Sequence, residues 1–276
     1  MKNKPKVSVY MPTHNRGELA IRAVKSVLSQ TYKNIELIVV DDGSKDCTFE
    51  MLNQIEDKRL IVLRNDSPEG ACRSRNRAIK HATGKYITGL DDDDYFKQER
   101  VETLLTFFDD KYSFVCDNSI SHNKGIYEFE QKLSRKISLD DILYSNVGNQ
   151  VFTLTERLKE VGLFDTGLPS SQDYDLWTRM IIKYGEALQI PKHTYVYDIT
   201  HDKSRISTSS KAIEGAKIYF DRYRIKMNKG QVASHYIRFS KYGELVRFNQ
   251  AALIFQERGM KELTKCYLRY VYLKSL

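Results

Sequence analysis

The chain has 276 residues, 41% of them hydrophobic and 29% charged, which is typical of a soluble globular protein with one large domain or two small ones. No segment approaches about 18 consecutive apolar residues, so a membrane-spanning helix is not expected. The net charge of +8 is concentrated in residues 211–276, which hold 14 Lys and Arg against 5 Asp and Glu, whereas residues 1–210 hold 30 against 31.

Cysteine usage and the N-terminus indicate a reducing, cytoplasmic location. The four cysteines, at positions 47, 72, 116 and 266, show no CxxC spacing, so we expect no zinc site and assign them structural or incidental roles. The first six residues are basic, but they lack the apolar segment and the cleavage site of a signal peptide.

The first 110 residues alternate between short apolar segments and segments with helical spacing. Strands are predicted at residues 7–11, 35–40, 60–63 and 85–90. Helices are predicted at residues 18–30, 46–56, 69–82 and 95–108. Because such alternation is typical of right-handed βαβ crossovers, we predict an α/β fold with a parallel sheet.

The pattern is less regular after residue 110. Strands are predicted at 112–116, 187–190 and 194–197, and helices at 138–144, 155–161 and 173–184. Residues 211–276 are predicted to be mostly helical. The serine-rich segment 204–211 is the predicted boundary between a domain at 1–208, with halves 1–110 and 111–208, and a basic segment at 209–276.

Polar clusters follow three of the predicted strands, at residues 13–16, 41–44 and 91–94, and the last of these is four consecutive aspartates. The carboxyl ends of parallel strands share one edge of a sheet, where open α/β folds bind ligands. Adjacent carboxylates repel one another, and a divalent cation such as Mg²⁺ or Mn²⁺ relieves that repulsion. The alternative is a solvated acidic turn that caps the next helix. Neither GxGxxG nor GxxxxGK[ST] is present.

Five segments in this order resemble family 2 glycosyltransferases of the GT-A fold. They are VSVYMPTHNR (7–16), VVDDGS (39–44), GKYI (84–87) leading into DDDD (91–94), VGLFD (161–165) and QDYDLW (172–177). The resemblance spans about residues 5–208. It implies a nucleotide-diphospho-sugar transferase fold with a Rossmann-like mixed sheet and a helical C-terminal extension, and an inverting enzyme of the bacterial surface-polysaccharide type.

The resemblance implies roles for residues of the sugar-nucleotide site. Asp42 would accept the imide proton of uracil, which favours UDP, and Thr13 would line the nucleotide pocket. The other residues implied to bind this substrate are Pro12, Asn15, Arg16, Asp41, Arg75 and Asn76. The segment that contains Arg75 and Asn76 departs from the family pattern, because Ser74 replaces an alanine.

The metal motif of the family falls on Asp91 and Asp93, but the additional Asp92 makes the register uncertain by one residue. We choose Asp93 as the ligand of Mn²⁺ or Mg²⁺ and assign Asp91 and Asp92 to the substrate. His201 is implied as a second metal ligand, and Arg205 is implied to bind the diphosphate.

The catalytic base of the family lies in a Glu-Asp pair at a helix start, and here the pair is Gln172-Asp173. Asp173 is therefore the predicted base, with helix N-capping as the alternative role and Asp175 as the runner-up. We expect Trp177 to be a core residue rather than a sugar-stacking residue.

The resemblance predicts transfer of a sugar from a UDP-sugar to a hydroxyl of a glycan or lipid-linked acceptor, in O-antigen or capsule synthesis. The alternatives are a nucleotidyltransferase that forms sugar nucleotides and a non-catalytic UDP-sugar-binding protein. The basic, tyrosine-rich C-terminal segment carries no nucleic-acid-binding motif, and we expect it to contact an anionic membrane surface on the inner face of the plasma membrane. The donor sugar, the acceptor, the linkage and the oligomeric state are left open.

Overall fold

The structure, a computed structural model, describes residues 4–129, 134–148, 151–200, 211–242 and 244–275. The chain forms two compact units. The first comprises Met1–Leu139, Val147–Thr166 and Leu176–Asp202, and the second comprises Asp140–Asn146, Gly167–Asp175 and Lys203–Leu276. The predicted boundary after residue 208 falls outside the described residues.

The described strands are β1 (Val7–Thr13), β2 (Ile35–Asp41), β3 (Leu60–Arg64), β4 (Tyr86–Gly89), β5 (Tyr95–Phe96), β6 (Val115–Cys116), β7 (Ser119–Asn123), β8 (Ile126–Glu128), β9 (Arg135–Ile137), β10 (Phe152–Leu154), β11 (Ala187–Gln189) and β12 (Tyr195–Asp198). The described α-helices are α1 (Gly17–Leu28), α2 (Thr48–Asn53), α3 (Ala71–His81), α4 (Arg100–Phe107), α5 (Leu139–Tyr144), α6 (Thr155–Glu160), α7 (Gln172–Tyr184), α8 (Lys211–Tyr223), α9 (Lys229–Ser240), α10 (Phe248–Arg258) and α11 (Met260–Ser275).

The main sheet of the first unit has the strand order β3-β2-β1-β4-β10-β6-β11-β9. Its first four strands are parallel, as predicted from the alternation of strands and helices. β10 runs antiparallel to both β4 and β6, so the sheet as a whole is mixed. β1 and β2 are buried along their whole length, which explains why both strands are almost continuously apolar.

A second sheet in the first unit, with the order β5-β12-β7-β8, was not anticipated from the sequence. The prediction of a helix over 95–108 is wrong at its start, because Tyr95 and Phe96 pair with β12 and the helix begins at Arg100. Aromatic residues favour strands where a partner is present, and here the partner is about 100 residues away in the chain.

A buried ion pair joins α4 to the chain between β6 and β7. Arg100 donates to Asp117 Oδ1 at 2.6 Å, and neither side chain is exposed. Asp117 also accepts from the backbone N–H of Thr194 at 2.7 Å, immediately before β12. The guanidinium lies over the rings of Phe96 and Tyr195, so this charge pair is enclosed by both strands of the β5–β12 ladder.

The second unit consists mainly of α8–α11, in agreement with the predicted helical C-terminal segment. Phe220 and Phe239 pack edge to face with ring centroids 5.5 Å apart, and Ile254 and Cys266 form a further buried cluster. Asn228 caps α9 with its side chain, which accepts from the Gln231 N–H at 2.9 Å. Helix α7 has its first turn in this unit and its remainder in the first.

Replacing Arg100 by Met should lower the free energy of unfolding by about 3–5 kcal/mol, because the Asp117 carboxylate would remain buried without its cation. Urea unfolding followed by Trp177 fluorescence measures the loss. The exposed Lys111, which pairs with Asp109, supplies the control Lys111→Met, and this variant should unfold like the wild type. If the two variants were equally stable, the buried pair would not contribute to stability as we expect.

Candidate active site

The parallel register brings the three polar clusters to one edge of the main sheet. Thr13, the last residue of β1, lies opposite Asp41 at the end of β2. The four aspartates follow β4, which pairs with the other side of β1. Thr13 Oγ1 donates to Asp92 Oδ2 at 2.8 Å, so the ends of β1 and β4 are in direct contact.

Arg16 contacts the carboxylates of both middle aspartates. One nitrogen, Nη1, lies 2.9 Å from Asp92 Oδ1 and 3.0 Å from Asp93 Oδ2. Burial disfavours the charged guanidinium, but Asp92 and Asp93 outweigh burial and raise the pKa of Arg16. Burial also raises the pKa of Asp92 to about 6, because a guanidinium that is shared with Asp93 compensates it only in part.

The outer two aspartates have different partners. Asp91 is half-buried and pairs with Arg75 at 2.7 Å. Asp94 is buried and accepts from the Tyr195 hydroxyl at 2.8 Å and from the Asp198 N–H at 3.0 Å. Burial raises the pKa of Asp94 well above its usual value, and Asp93 and Asp91 contribute to this shift. Asp94 therefore fastens the acidic turn to β12.

Sequence reasoning did not identify Arg22, Tyr195 or Asp198 as supports of this turn. Arg22 extends from α1, donates through Nη2 to the Asp93 carbonyl oxygen at 2.6 Å, and forms an ion pair with Asp198. Sequence patterns offer no specific signal for Arg22, because the charged residues of an amphipathic helix most commonly lie in solvent.

The second cluster is a turn whose groups bind one another. Asp41 accepts from the Ser44 hydroxyl and forms an ion pair with Arg64 at 3.4 Å. The Ser44 oxygen accepts from the Asn15 N–H at 2.9 Å, which links this turn to the one after β1. Gly43 has a φ of +66°, and a Cβ there would lie 2.8 Å from the carbonyl carbon of Ser67, so this turn requires glycine.

Asp42 is buried and oriented by four donors. Its Oδ1 accepts from the Asn65 amide at 2.7 Å, the Glu69 N–H at 2.9 Å and the Ser74 hydroxyl at 3.0 Å, and its Oδ2 accepts from the Gly70 N–H at 2.8 Å. Burial opposes ionisation, but these hydrogen bonds together lower the pKa of Asp42. The hydroxyl of Ser74, the residue that departs from the family's alanine, is one of the donors.

Arg75 and Asn76 lie on α3 and face different partners. The guanidinium of Arg75, paired with Asp91, also lies 5.4 Å from the centre of the Phe164 ring. Asn76 uses its side-chain amide and carbonyl to bind the backbone carbonyl and N–H of Phe164, at 2.8 and 2.9 Å. Asn76 therefore holds the VGLFD segment in place. Pro12 is buried within β1.

Asp173 lies in the second unit, in the first turn of α7. It is half-buried, with Oδ2 accepting from the Asn146 amide at 2.7 Å and Oδ1 from the Tyr174 N–H at 2.8 Å. Asp175, the runner-up, is buried and bound by Arg222 at 2.6 Å and by the Tyr223 hydroxyl at 2.9 Å. Of these two carboxylates, Asp173 is therefore the more accessible, as a base that contacts an acceptor must be.

The remaining site candidates are Trp177, His201 and Arg205. Trp177 is buried, donates to the Gly148 carbonyl at 2.8 Å and packs against Phe164, so it is a core residue as expected. His201 and Arg205 lie outside the described residues.

The carboxylates present fit a divalent cation whose coordination is completed by a substrate. Among the described residues, no group of three or more His, Cys, Asp or Glu side chains is arranged as a complete metal site. Mg²⁺ is commonly held by one or two carboxylates together with substrate phosphates and water, and Asp92 and Asp93 supply this number. Burial raises the pKa of Asp92, and the neighbouring Asp93 carboxylate adds to this shift while Arg16 opposes it.

Comparisons with known proteins concern the sequence and the fold of the chain. The family model of glycosyl transferase family 2 matches residues 8–162. The chain is 40% identical over 248 residues to the putative colanic acid biosynthesis glycosyl transferase WcaA of Escherichia coli K12, and the match covers 85% of this chain and 86% of WcaA. It is 31% identical over 184 residues to the UDP-Glc:alpha-D-GlcNAc-diphosphoundecaprenol beta-1,3-glucosyltransferase WfaP of Escherichia coli, covering 64% of this chain and 70% of WfaP.

Solved structures share the fold. The structure of Staphylococcus aureus TarS residues 1–349 in complex with UDP-GlcNAc superposes with a TM-score of 0.68 at 18% identity, covering 96% of this chain and 88% of that one. The mannosyltransferase PcManGT from Pyrobaculum calidifontis, in complex with GDP-Man and Mn²⁺, gives 0.59 at 15% identity, covering 99% and 76%. The fold is therefore the GT-A fold with a helical C-terminal region. Because the family model covers more than half of the chain, this protein belongs to glycosyltransferase family 2.

Replacing Asp42 by Asn should destabilise the protein by about 1–3 kcal/mol at pH 7, because an amide cannot accept from all four donors. Because folding lowers the pKa of Asp42, its ionised carboxylate contributes fully to stability above the ordinary pKa of 3.8. This contribution is lost as the pH falls through the lower pKa of the folded state. Denaturant unfolding of both proteins from pH 7 to pH 2.5 should show the difference narrowing in acid. The exposed Asp66→Asn serves as the control, and a pH-independent difference would argue against this assignment.

Proposed function

We propose that this protein is a metal-dependent, inverting glycosyltransferase that moves a sugar from a UDP-sugar to a hydroxyl of a glycan or lipid-linked glycan acceptor. The observation that carries the proposal is the cluster at the edge of the main sheet. There an ionised, oriented Asp42 and the turn of four aspartates lie at the carboxyl ends of parallel strands.

The donor nucleotide is assigned from Asp42. An ionised, fixed carboxylate accepts a hydrogen bond from the imide N–H of uracil, whereas the corresponding nitrogen of cytosine carries no proton to donate. Within the described residues, Asp42 Oδ2 accepts only from the Gly70 N–H, so this oxygen retains acceptor capacity. The name of WfaP specifies UDP-Glc, and the TarS structure contains UDP-GlcNAc, which favours UDP for this chain.

The metal site is assigned to Asp93, with Asp92 beside it and His201 as a further ligand. A bound Mn²⁺ or Mg²⁺ supplies positive charge for the leaving diphosphate. Arg16, which contacts both carboxylates, would exchange one of these contacts for a phosphate oxygen. The structure of PcManGT contains Mn²⁺, which favours this ion.

The transfer itself requires a base for the acceptor. Asp173 takes the proton of the acceptor hydroxyl as that oxygen forms a bond to the anomeric carbon from the face opposite UDP. The bond between this carbon and the phosphate oxygen breaks, the electron pair leaves with UDP, and the anomeric configuration inverts. The hydrogen bonds from Asn146 and the Tyr174 N–H leave each oxygen of Asp173 able to accept another.

The names of two relatives support the proposed acceptor class. WcaA is named for colanic acid biosynthesis, and WfaP for a diphosphoundecaprenol-linked acceptor. We therefore place this chain in the synthesis of a surface polysaccharide, such as O-antigen or capsule, on a lipid-linked intermediate at the inner face of the plasma membrane.

A screen for UDP release from common UDP-sugars with Mn²⁺ should identify one donor. Without an acceptor, water reacts slowly with the bound donor and UDP is released. In Asp93→Ala, release from that donor should fall by about 100-fold or more, since charge on the leaving diphosphate is then poorly stabilised. The exposed carboxylate Asp109 gives the matched control Asp109→Ala, which should retain full release.

Isothermal titration of UDP with and without Mn²⁺ separates binding from turnover. We expect metal-dependent UDP binding in the wild type and in Asp109→Ala, and weak binding in Asp93→Ala. Metal dependence that survives unchanged in Asp93→Ala would exclude Asp93 as the ligand. Binding of a nucleoside triphosphate together with a sugar phosphate would favour the nucleotidyltransferase alternative instead.

Helix α11 provides a surface suited to the membrane. No helix within the described residues is both long and apolar enough to cross a bilayer. On α11, however, Met260, Tyr267, Leu268 and Tyr272 are each about 60% exposed, and the exposed Lys261 and Lys265 lie on the same helix. Apolar and aromatic side chains flanked by lysines are typical of helices that lie on an anionic bilayer.

Replacing Leu268 by Glu should reduce flotation of the full chain with phosphatidylglycerol-containing liposomes at low salt, because a charge is then placed among the apolar contacts. Ile182→Glu, an exposed apolar position on α7, is the control and should float like the wild type. Equal flotation of Leu268→Glu and wild type would exclude α11 as the contact, and failure of the wild type to float would exclude the membrane association.

A further inference from the structure

The residue two positions after Asp173 is fixed by helix α8. Asp175 is fully buried, and its Oδ1 accepts from Arg222 Nη1 at 2.6 Å and from the Tyr223 hydroxyl at 2.9 Å. Both donors lie at the C-terminal end of α8. A buried carboxylate with two such donors has little freedom to rotate, so the backbone of the first turn of α7 is held at this position.

The residue between them is held by the same helix. The Tyr174 ring stacks on Tyr219 of α8, with centroids 3.9 Å apart and an interplanar angle of 17°. The Arg238 guanidinium of α9 lies 5.6 Å from the centre of the Tyr174 ring. Tyr174 also provides the backbone N–H that binds Asp173 Oδ1, so its position determines where this hydrogen bond points.

The segment that leads into α7 is held as well. Ser170 donates to the Ala212 carbonyl oxygen at 3.0 Å. A Cβ at Gly215 would lie 2.4 Å from the Ser170 carbonyl oxygen, so only glycine permits α8 to approach this closely. Residues 170, 174 and 175 are therefore all attached to one helix, whereas Asp173 itself is directed to Asn146.

An ion pair of this kind contributes little net stability relative to apolar residues of the same size, because the Asp175 carboxylate loses its water on burial. Its distinctive effect is geometric, since two donors define the position of one carboxylate. Such precision matters most next to a group whose orientation governs a reaction, and Asp173 is that group under the proposed function.

We infer that Arg222 and Tyr223 are positioning residues for sugar transfer, which act through Asp175 to orient the carboxylate of Asp173. This inference rests on the proposed function, in which Asp173 is the base. It also gives part of the basic C-terminal segment a role within the protein, in addition to the surface on α11.

Steady-state kinetics of full-length variants with the donor found in the UDP-release screen test this inference. Tyr223→Phe removes one hydroxyl, and Arg222→Gln removes the charge. Each should lower kcat for transfer by between about 10-fold and 100-fold, while KM for the donor and the affinity for UDP stay within about twofold of wild type. Arg222→Lys should restore part of the rate. Arg224→Gln, an exposed neighbour, should behave as wild type.

Double variants separate positioning from general destabilisation. In an Asp173→Asn background, Tyr223→Phe should have no further effect on the residual rate, because the carboxylate it orients is gone. A further loss there, a loss of UDP affinity, or an unchanged kcat in Tyr223→Phe would overturn the inference. If Asp173→Asn alone keeps full turnover, the proposed base is wrong, and this result is distinguishable because it does not depend on α8.

Discussion

The edge of the main sheet depends on balancing the charge of four consecutive aspartates, three of which are buried. The chain does so with three sets of partners: Arg75 for Asp91, Arg16 shared by Asp92 and Asp93, and a tyrosine hydroxyl and a backbone N–H for Asp94. The balance is incomplete, because burial keeps the pKa of Asp92 near 6. Under the proposed function, the divalent cation bound with the sugar nucleotide would offset part of this negative charge.

Much of the fold follows from local sequence patterns. β1 and β2 are apolar along their length because both faces are covered, and alternation with helices determines that the first four strands are parallel. The second sheet had no such local signal. β5 has two residues and exists only because β12 pairs with it, so tertiary contact overrides the helical spacing that begins before Arg100. The antiparallel β10 is likewise a consequence of long-range pairing.

The site was predictable where topology alone gathers residues, and unpredictable where side chains meet across the fold. The rule that parallel strands share an edge was enough to bring Thr13 to the acidic turn. Arg22, however, reaches the Asp93 carbonyl and Asp198 from a helix surface that reads as solvated, and no spacing rule anticipates this. Similarly, the Asn76 side chain binds the backbone of Phe164, 88 residues further along the chain, and no local pattern anticipates this contact.

The basic C-terminal segment shows why net charge is a weak guide to role. Counted from the sequence, its 14 cations form one class, and a membrane surface accounts for them as a group. In the structure these cations differ in what they contact. Arg222 binds a buried carboxylate, and Arg238 lies over an aromatic ring. Lys261 and Lys265, in contrast, lie on the helix that also carries the exposed Tyr267 and Leu268. Arg222 acts through a short, directional hydrogen bond to a buried oxygen, which salt screens weakly, whereas exposed lysines attract an anionic surface through a field that is screened over about 10 Å at about 0.1 M salt. The two roles should therefore respond differently to ionic strength, since membrane contact weakens with added salt and the geometry around Asp173 does not change.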